Sequence, residues 1–198
     1  HTHTHTHTHT HFLHFIYSHL DRRNTSLAVA FVDFKKAVDL VDHTVVINKA
    51  ISLGIQPNLV AWLADFLSER QQAVRYQGCV SPLQHLTCGV PQGTKMGPLC
   101  FLVLINDALM STPHRWKYVD DVTLGIPVTN TQPDYSALQA TLYQLQEWAE
   151  VNKMTVNHTK TVVMHLCTSS AAVPPPQLSL GPHQLQVVHS TKLLGVMV

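Results

Sequence analysis

The chain has 198 residues, 45% of them hydrophobic, enough to bury the core of one domain or of one large piece of a bigger protein. Charged residues make up only 13% and the formal net charge is +1, against about 25% charged residues in an ordinary soluble domain. Nucleic-acid binders are usually clearly basic, so any such contact must rest on a local patch or on a surface outside this stretch. Cys79, Cys88, Cys100 and Cys167 form no C-x-x-C pair, which argues for reduced thiols rather than a zinc site or a disulfide framework. The longest apolar run, Leu99 to Ile105, falls far short of the roughly 20 residues a membrane span needs. The N-terminus lacks the basic-then-apolar pattern of a secretory signal. These readings predict an intracellular protein, nuclear or cytoplasmic, with no membrane partner.

Residues His1 to His11 alternate His and Thr without a break. Such low complexity reads either as a metal-binding tract or as a simple repeat with no selected role. Phe12 to Leu20 is apolar at helical spacing, and Asp21 to Asn24 reads as a turn. Leu27 to Phe34 is apolar on both faces, as a central strand is. Its one acid, Asp33, should sit at the strand's exit, because an unpaired charge inside would be costly. Otherwise it caps the following helix, which the pattern starts at Lys35. Asp42-His43 closes a polar patch. Pro57 opens an amphipathic helix with Leu59, Leu63, Phe66 and Leu67 on one face. Gln72 to Val80 reads as a strand with turns at Gln77-Gly78 and Ser81-Pro82.

Gly89 to Pro98 holds three glycines and two prolines and predicts a shaped loop, with Pro98 in the first turn of a helix running to Leu109. Such a loop is either a structural turn or a close backbone approach to a flat or phosphate-bearing ligand. Gln92 adds an amide that both donates and accepts. The spacing is not that of a Walker loop.

Tyr118-Val119-Asp120-Asp121 reads as a strand, a tight turn and a second strand. Neighbouring strand residues point to opposite faces, so two adjacent Asp can serve one site only at a turn. Two ionised carboxylates repel unless a cation lies between them, and hard Mg²⁺ prefers such oxygens. Alone, the pair reads first as a plain polar turn. Ile126 to Pro133 reads as a loop. Ser136 and Gln139 have the spacing of a capping box, and Leu138, Leu142, Leu145 and Ala149 recur at helical spacing. Thr161 to Leu166 is a buried strand, Ser169 to Gln177 an extended connector, and Lys192 to Val198 a last strand.

In this order the stretches resemble the palm region of a reverse transcriptase of the kind carried by non-LTR (LINE-like) retrotransposons. Asp33 lies in the family's first carboxylate motif, Gly89 to Pro98 resembles its G-x-P-Q-G loop, and Tyr118 to Asp121 its Y-x-D-D box. Trp148, Asn152, Asn157 and Lys160-Thr161 fit the motif that follows, and Lys192 to Val196 the K-x-L-G motif. The match covers most of residues 15 to 198. It implies an α+β palm with an antiparallel sheet and packed helices, its fingers and thumb largely missing, in a domain spanning 12–198 and truncated at both ends.

The function implied is RNA-directed DNA polymerase: primer-dependent nucleotidyl transfer with two Mg²⁺ (or Mn²⁺) ions, an RNA template, a DNA primer and dNTPs. Asp33 and Asp120 are then direct metal ligands and Asp121 a helper. A backbone carbonyl in the stretch from Val32 to Phe34 joins them, assigned to Val32. Phe34, Val38, Pro91, Gln92 and Gly93 contact nucleotide or template. Tyr118 sits by the primer end. Lys160 assists the leaving group or is an exposed structural lysine. Val38 departs from the family, standing where an aromatic residue usually rejects the ribose 2′-hydroxyl. Rival readings are an inactive retroelement-derived fragment, a His-tract metal-binding protein, and an intron-maturase or telomerase-like palm.

Overall fold

The structure is a computed structural model that describes residues 2–90, 94–168, 173–193 and 196–197, with side chains described between residues 10 and 191 of those spans. In chain order the elements are α1 (Thr2–Leu20), β1 (Thr25–Val32), α2 (His43–Ser52), α3 (Pro57–Leu67), β2 (Gln71–Gln72), β3 (Arg75–Tyr76), β4 (Cys79–Val80), β5 (Gln84–His85) and α4 (Met96–Ile105). There follow β6 (Arg115–Tyr118), β7 (Asp121–Thr129), α5 (Ser136–Val151), β8 (Val162–Cys167), β9 (Ser179–Leu180), β10 (His183–Gln184), β11 (Gln186–Val188), β12 (Lys192–Leu193) and β13 (Val196–Met197). The chain divides into two compact units: residues 1–35, 108–150 and 155–198 form the first, and 36–107 with 151–154 the second.

The first unit is built on a five-stranded sheet in the order β11-β8-β1-β7-β6. β1 lies at its centre because seven of its eight residues can be buried without leaving a charge inside. It pairs antiparallel with β7 from Thr25↔Thr129 to Val32↔Val122, and with β8 from Ser26↔Cys167 to Phe31↔Val162. β11 adds a short parallel edge. α1 lays Phe12, Phe15 and Ile16 on Leu27, Val29, Phe31 and Met164. The Phe12 ring meets Phe31 edge-on at 6.0 Å and Trp116 at 5.1 Å. Each such buried side chain stabilises the fold by roughly 1.5–3 kcal/mol. A Cβ on Gly125 would come within 2.8 Å of the Phe15 ring, so the close seat of α1 depends on that glycine.

Three expectations change here. α1 begins at Thr2 rather than Phe12, since a nucleated helix propagates cheaply into neighbouring residues. β7 runs on to Thr129 where a loop was expected, because the start of β1 supplies its ladder partners. The capping box does not form. Asp134 accepts from the Ser136 amide at 2.9 Å, while Gln139 exchanges two hydrogen bonds with the Ser179 backbone, at 2.8 and 2.9 Å. Leu138, Leu142, Leu145 and Ala149 are buried as their spacing requires.

In the second unit, α2 contacts α3 and α4. No helix starts at Lys35. Lys36 takes φ 47°, and residues 35–40 form turns. α2 starts at His43, capped by Asp42, whose carboxylate accepts from the Val45 amide at 3.0 Å. Burial would raise the Asp42 carboxyl, but hydrogen bonds from Lys153, at 2.7 Å, and Val45 outweigh it and hold it below the usual range. On α3, Leu63 and Leu67 are buried but Leu59 is exposed, so the apolar face is narrower than its periodicity suggests. β3 and β4 form a hairpin whose turn, Gln77-Gly78, has φ 47° and 84°, the two positive values of a type I′ turn. Of the last strand, Leu194, Gly195 and Val198 lie outside the described residues.

Candidate active site

β6 and β7 form a hairpin in which Tyr118↔Asp121 is the closing pair and Val119-Asp120 the two-residue turn. The strand-turn-strand reading therefore holds, with Asp120 in the turn and Asp121 the first residue of β7, both exposed. Val119 has φ 51°, a value natural to glycine and strained for a β-branched residue.

Asp33 follows directly on β1, whose last ladder pair is Val32↔Val122. The ladder ends at that pair, with Asp33 one residue beyond Val32 and Asp121 one residue before Val122. Cα atoms paired across antiparallel strands lie about 4.5–5.5 Å apart. Asp33 and Asp121 thus stand at neighbouring strand ends, with Asp120 in the turn beside them. The register also decides between helix cap and strand exit: Asp33 leaves the strand, and Asp42 does the capping.

The backbone around Asp33 is held from the opposite edge. Asp33 N–H donates to the Thr161 hydroxyl at 3.2 Å, and its carbonyl accepts from the Asn157 amide at 2.8 Å. Lys35 N–H donates to Thr155 O at 2.9 Å, and Phe34 bridges Val156. Because backbone groups alternate sides along a strand, those of Val32 and Phe34 point the other way, toward the hairpin. Val32 already faces Val122 within the ladder. Both carbonyls, of Val32 and of Phe34, are thus on the hairpin's side of the chain. The Phe34 ring meets Trp148 of α5 edge-on at 6.2 Å.

The donor set suits a hard divalent cation. It is all oxygen, and the ion pairs Lys49–Asp107 and Lys153–Asp42 involve neither Asp33 nor Asp120. No group of three or more His, Cys, Asp or Glu side chains is close enough to hold a metal among the described residues. The remaining ligands would come from water, backbone and substrate phosphate, as is usual for Mg²⁺.

Lys160 is exposed in the turn that follows Asn157. Tyr118 is half-buried at the end of β6. In the second unit, Val38 is half-buried and its carbonyl accepts from the Val90 amide at 3.2 Å. Gly89, φ 84°, donates to Val41 O at 2.8 Å and accepts at 2.7 Å from His43 Nε2. A cavity of about 660 Å³ opens beside it, lined by Asp39, Arg70, Gln71, Gln72, Leu86, Cys88, Gly89 and Val90. Pro91, Gln92 and Gly93 lie outside the described residues.

Sequence reasoning placed Asn157 and Thr161 in a motif but missed that they hold Asp33. The available signal was chemical: a buried Asn must find hydrogen-bond partners. It missed likewise that His43 fastens the segment before the proline-glutamine loop.

Compared with known proteins, residues 2–198 match the family model for reverse transcriptase (RNA-dependent DNA polymerase). The chain is 28% identical over 176 residues to the RNA-directed DNA polymerase from mobile element jockey of Drosophila melanogaster, covering 84% of this chain and 19% of that protein. It is 25% identical over 178 residues to the probable RNA-directed DNA polymerase from transposon X-element of the same fly, covering 85% and 19%. The chain thus spans about a fifth of the length of the curated relatives it matches. Among solved structures, apo telomerase from Candida tropicalis, truncated from its C-terminal domain, superposes with a TM-score of 0.57 at 16% identity, over 82% of this chain and 35% of that one. Telomerase of the same yeast in complex with a fragment of telomeric RNA gives 0.58 at 12% identity, over 85% and 30%. At such identity the likeness speaks for the fold alone.

Proposed function

This chain belongs to the reverse transcriptase (RNA-dependent DNA polymerase) family, and from that premise we propose that it supplies the palm of a polymerase that extends a DNA primer on an RNA template. The observation that supports the reading is that β1 ends, at Val32↔Val122, beside the strand that leaves the Asp120-Asp121 turn.

In this reading Asp33 and Asp120 would hold two Mg²⁺ or Mn²⁺ ions, with Asp121 and a backbone carbonyl from the stretch Val32 to Phe34 in support. Bound there, the ions supply a more acidic primer 3′-hydroxyl and neutralisation of the triphosphate. The chain's own part is positioning, which with charge neutralisation dominates phosphoryl transfer. The carboxylates fix where the 3′-oxygen meets the α-phosphorus; that bond forms as the bond to pyrophosphate breaks, and the hydroxyl proton passes to solvent water. Tyr118 borders the primer end. Pro91, Gln92 and Gly93 contact the incoming nucleotide and template, and Val38 faces its sugar. Lys160 donates to the departing pyrophosphate. With valine at position 38, discrimination against ribonucleotides is weaker than with an aromatic residue.

The test is a chimera in which this chain replaces the matching segment of the jockey polymerase. RNA-templated, Mg²⁺-dependent primer extension is expected, abolished by Asp120→Asn. A chimera no more active than its Asp120→Asn variant, beside a working parent enzyme, overturns the proposal. The isolated chain is not expected to extend primers. Its net charge of +1 leaves too little phosphate neutralisation to hold a duplex.

A further inference from the structure

We propose that Asn157 is the positioning residue for Asp33, fixing that carboxylate for metal binding without neutralising it; the inference rests on the metal reading above. Asn157 is buried, and its side-chain amide and backbone N–H both bond the acid. Its Nδ2 donates to Asp33 Oδ2 at 2.9 Å, and its backbone amide donates to Asp33 O at 2.8 Å. Its own carbonyl accepts from Lys160 N at 3.2 Å and Thr161 N at 2.9 Å, closing a tight turn. Thr161 completes the hold from its hydroxyl, which accepts the Asp33 amide at 3.2 Å.

The orientation of the Asn157 amide follows from chemistry. An amide oxygen turned toward Asp33 would set two acceptors against each other. The Thr159 hydroxyl donates to Asn157 Oδ1 at 2.7 Å and holds the ring of bonds the other way round. One lone pair on Asp33 Oδ2 is therefore engaged, and Oδ1 is left for a cation.

The choice of residue type matters. A lysine or arginine here would form an ion pair and compete with the metal for the charge. A histidine would change its grip as it titrates near neutrality. A primary amide neither carries charge nor titrates, so it orients the carboxylate and leaves its full negative charge available. It is also needed: Asp33 stands one residue beyond the last ladder pair of β1, where strand neighbours no longer hold it. The clamp from residues 157–161 takes the ladder's place.

Hydrogen-bond partners behind metal ligands typically change metal affinity about 10–100-fold when removed. The experiment titrates the 198-residue chain with Mn²⁺, read by electron paramagnetic resonance well below the melting temperature. The acid site is the part of the signal lost in Asp33→Asn and Asp120→Asn. Asn157→Ala is expected to weaken that part about 10–100-fold, and Thr159→Val, remote from the carboxylate and at an exposed position, to weaken it less but in the same direction. Should Asn157→Ala fail to fold, Thr159→Val decides. Wild-type affinity in folded Asn157→Ala and in Thr159→Val, with Asp33→Asn still losing the signal, overturns the role of Asn157 and leaves the metal reading standing. Wild-type binding in Asp33→Asn and Asp120→Asn overturns the metal reading itself.

Discussion

Val119 carries φ 51° at the first position of the β6–β7 turn, where a β-branched side chain crowds its own backbone. Strain of this kind costs about 1–3 kcal/mol and persists where surrounding structure over-determines it. Val119→Gly is expected to raise the thermal midpoint, with a gain of up to about 1 kcal/mol once glycine's extra chain entropy is subtracted; an unchanged or lower midpoint in a thermal melt contradicts the strain. Gly89 is the converse. A Cβ there would stand 2.8 Å from the Asp39 carbonyl oxygen, at φ 84°. Gly89→Ala should destabilise the chain by at least about 1–3 kcal/mol in urea unfolding. At this scale the sequence was legible where chemistry is loud: two adjacent acids, and one acid ending an apolar run. It marked Asn157 and Thr161 as parts of a motif but not as partners of Asp33, because that contact spans more than 120 positions of chain.

At the scale of elements, period and apolarity sufficed for β1, α3, the hairpin and α5, whose patterns are set by their own residues. They failed wherever a partner decided the outcome. Residues 126–129 contain Pro127 and look like a loop, yet the start of β1 draws them into the ladder. Gln139 had the spacing of a cap but found Ser179 instead. Leu59 has helical spacing on α3, yet remains exposed. Leu142 of α5 is fully buried, and Leu142→Ala is expected to cost about 2–5 kcal/mol, measured by denaturant unfolding. A loss near zero would mean that α5 does not close the core of the first unit.

At the scale of the whole molecule, His114, His158 and His165 share a direction. Burial is the first cause in each, with His19 disfavouring the charge on His114, and with His183 and Lys35 doing so on His158. All three are held below the ordinary value of 6.5. As pH falls through 6.5 the unfolded chain takes up these protons before the folded one, so stability drops from there downward. Above that pH these groups are neutral in both states and contribute no slope. A melt at pH 5.5 should show a lower midpoint than one at pH 7.5, and an equal or higher midpoint contradicts the assignment. The low charge of the chain was legible from composition alone.

The central claim is that Asp33 and Asp120 share divalent ions. Its most direct measurement counts Mn²⁺ bound to the jockey chimera with an RNA template, a 3′-deoxy primer and the matching dNTP. Two ions are expected, with binding lost in both Asp33→Asn and Asp120→Asn; two ions retained in either variant would contradict the account.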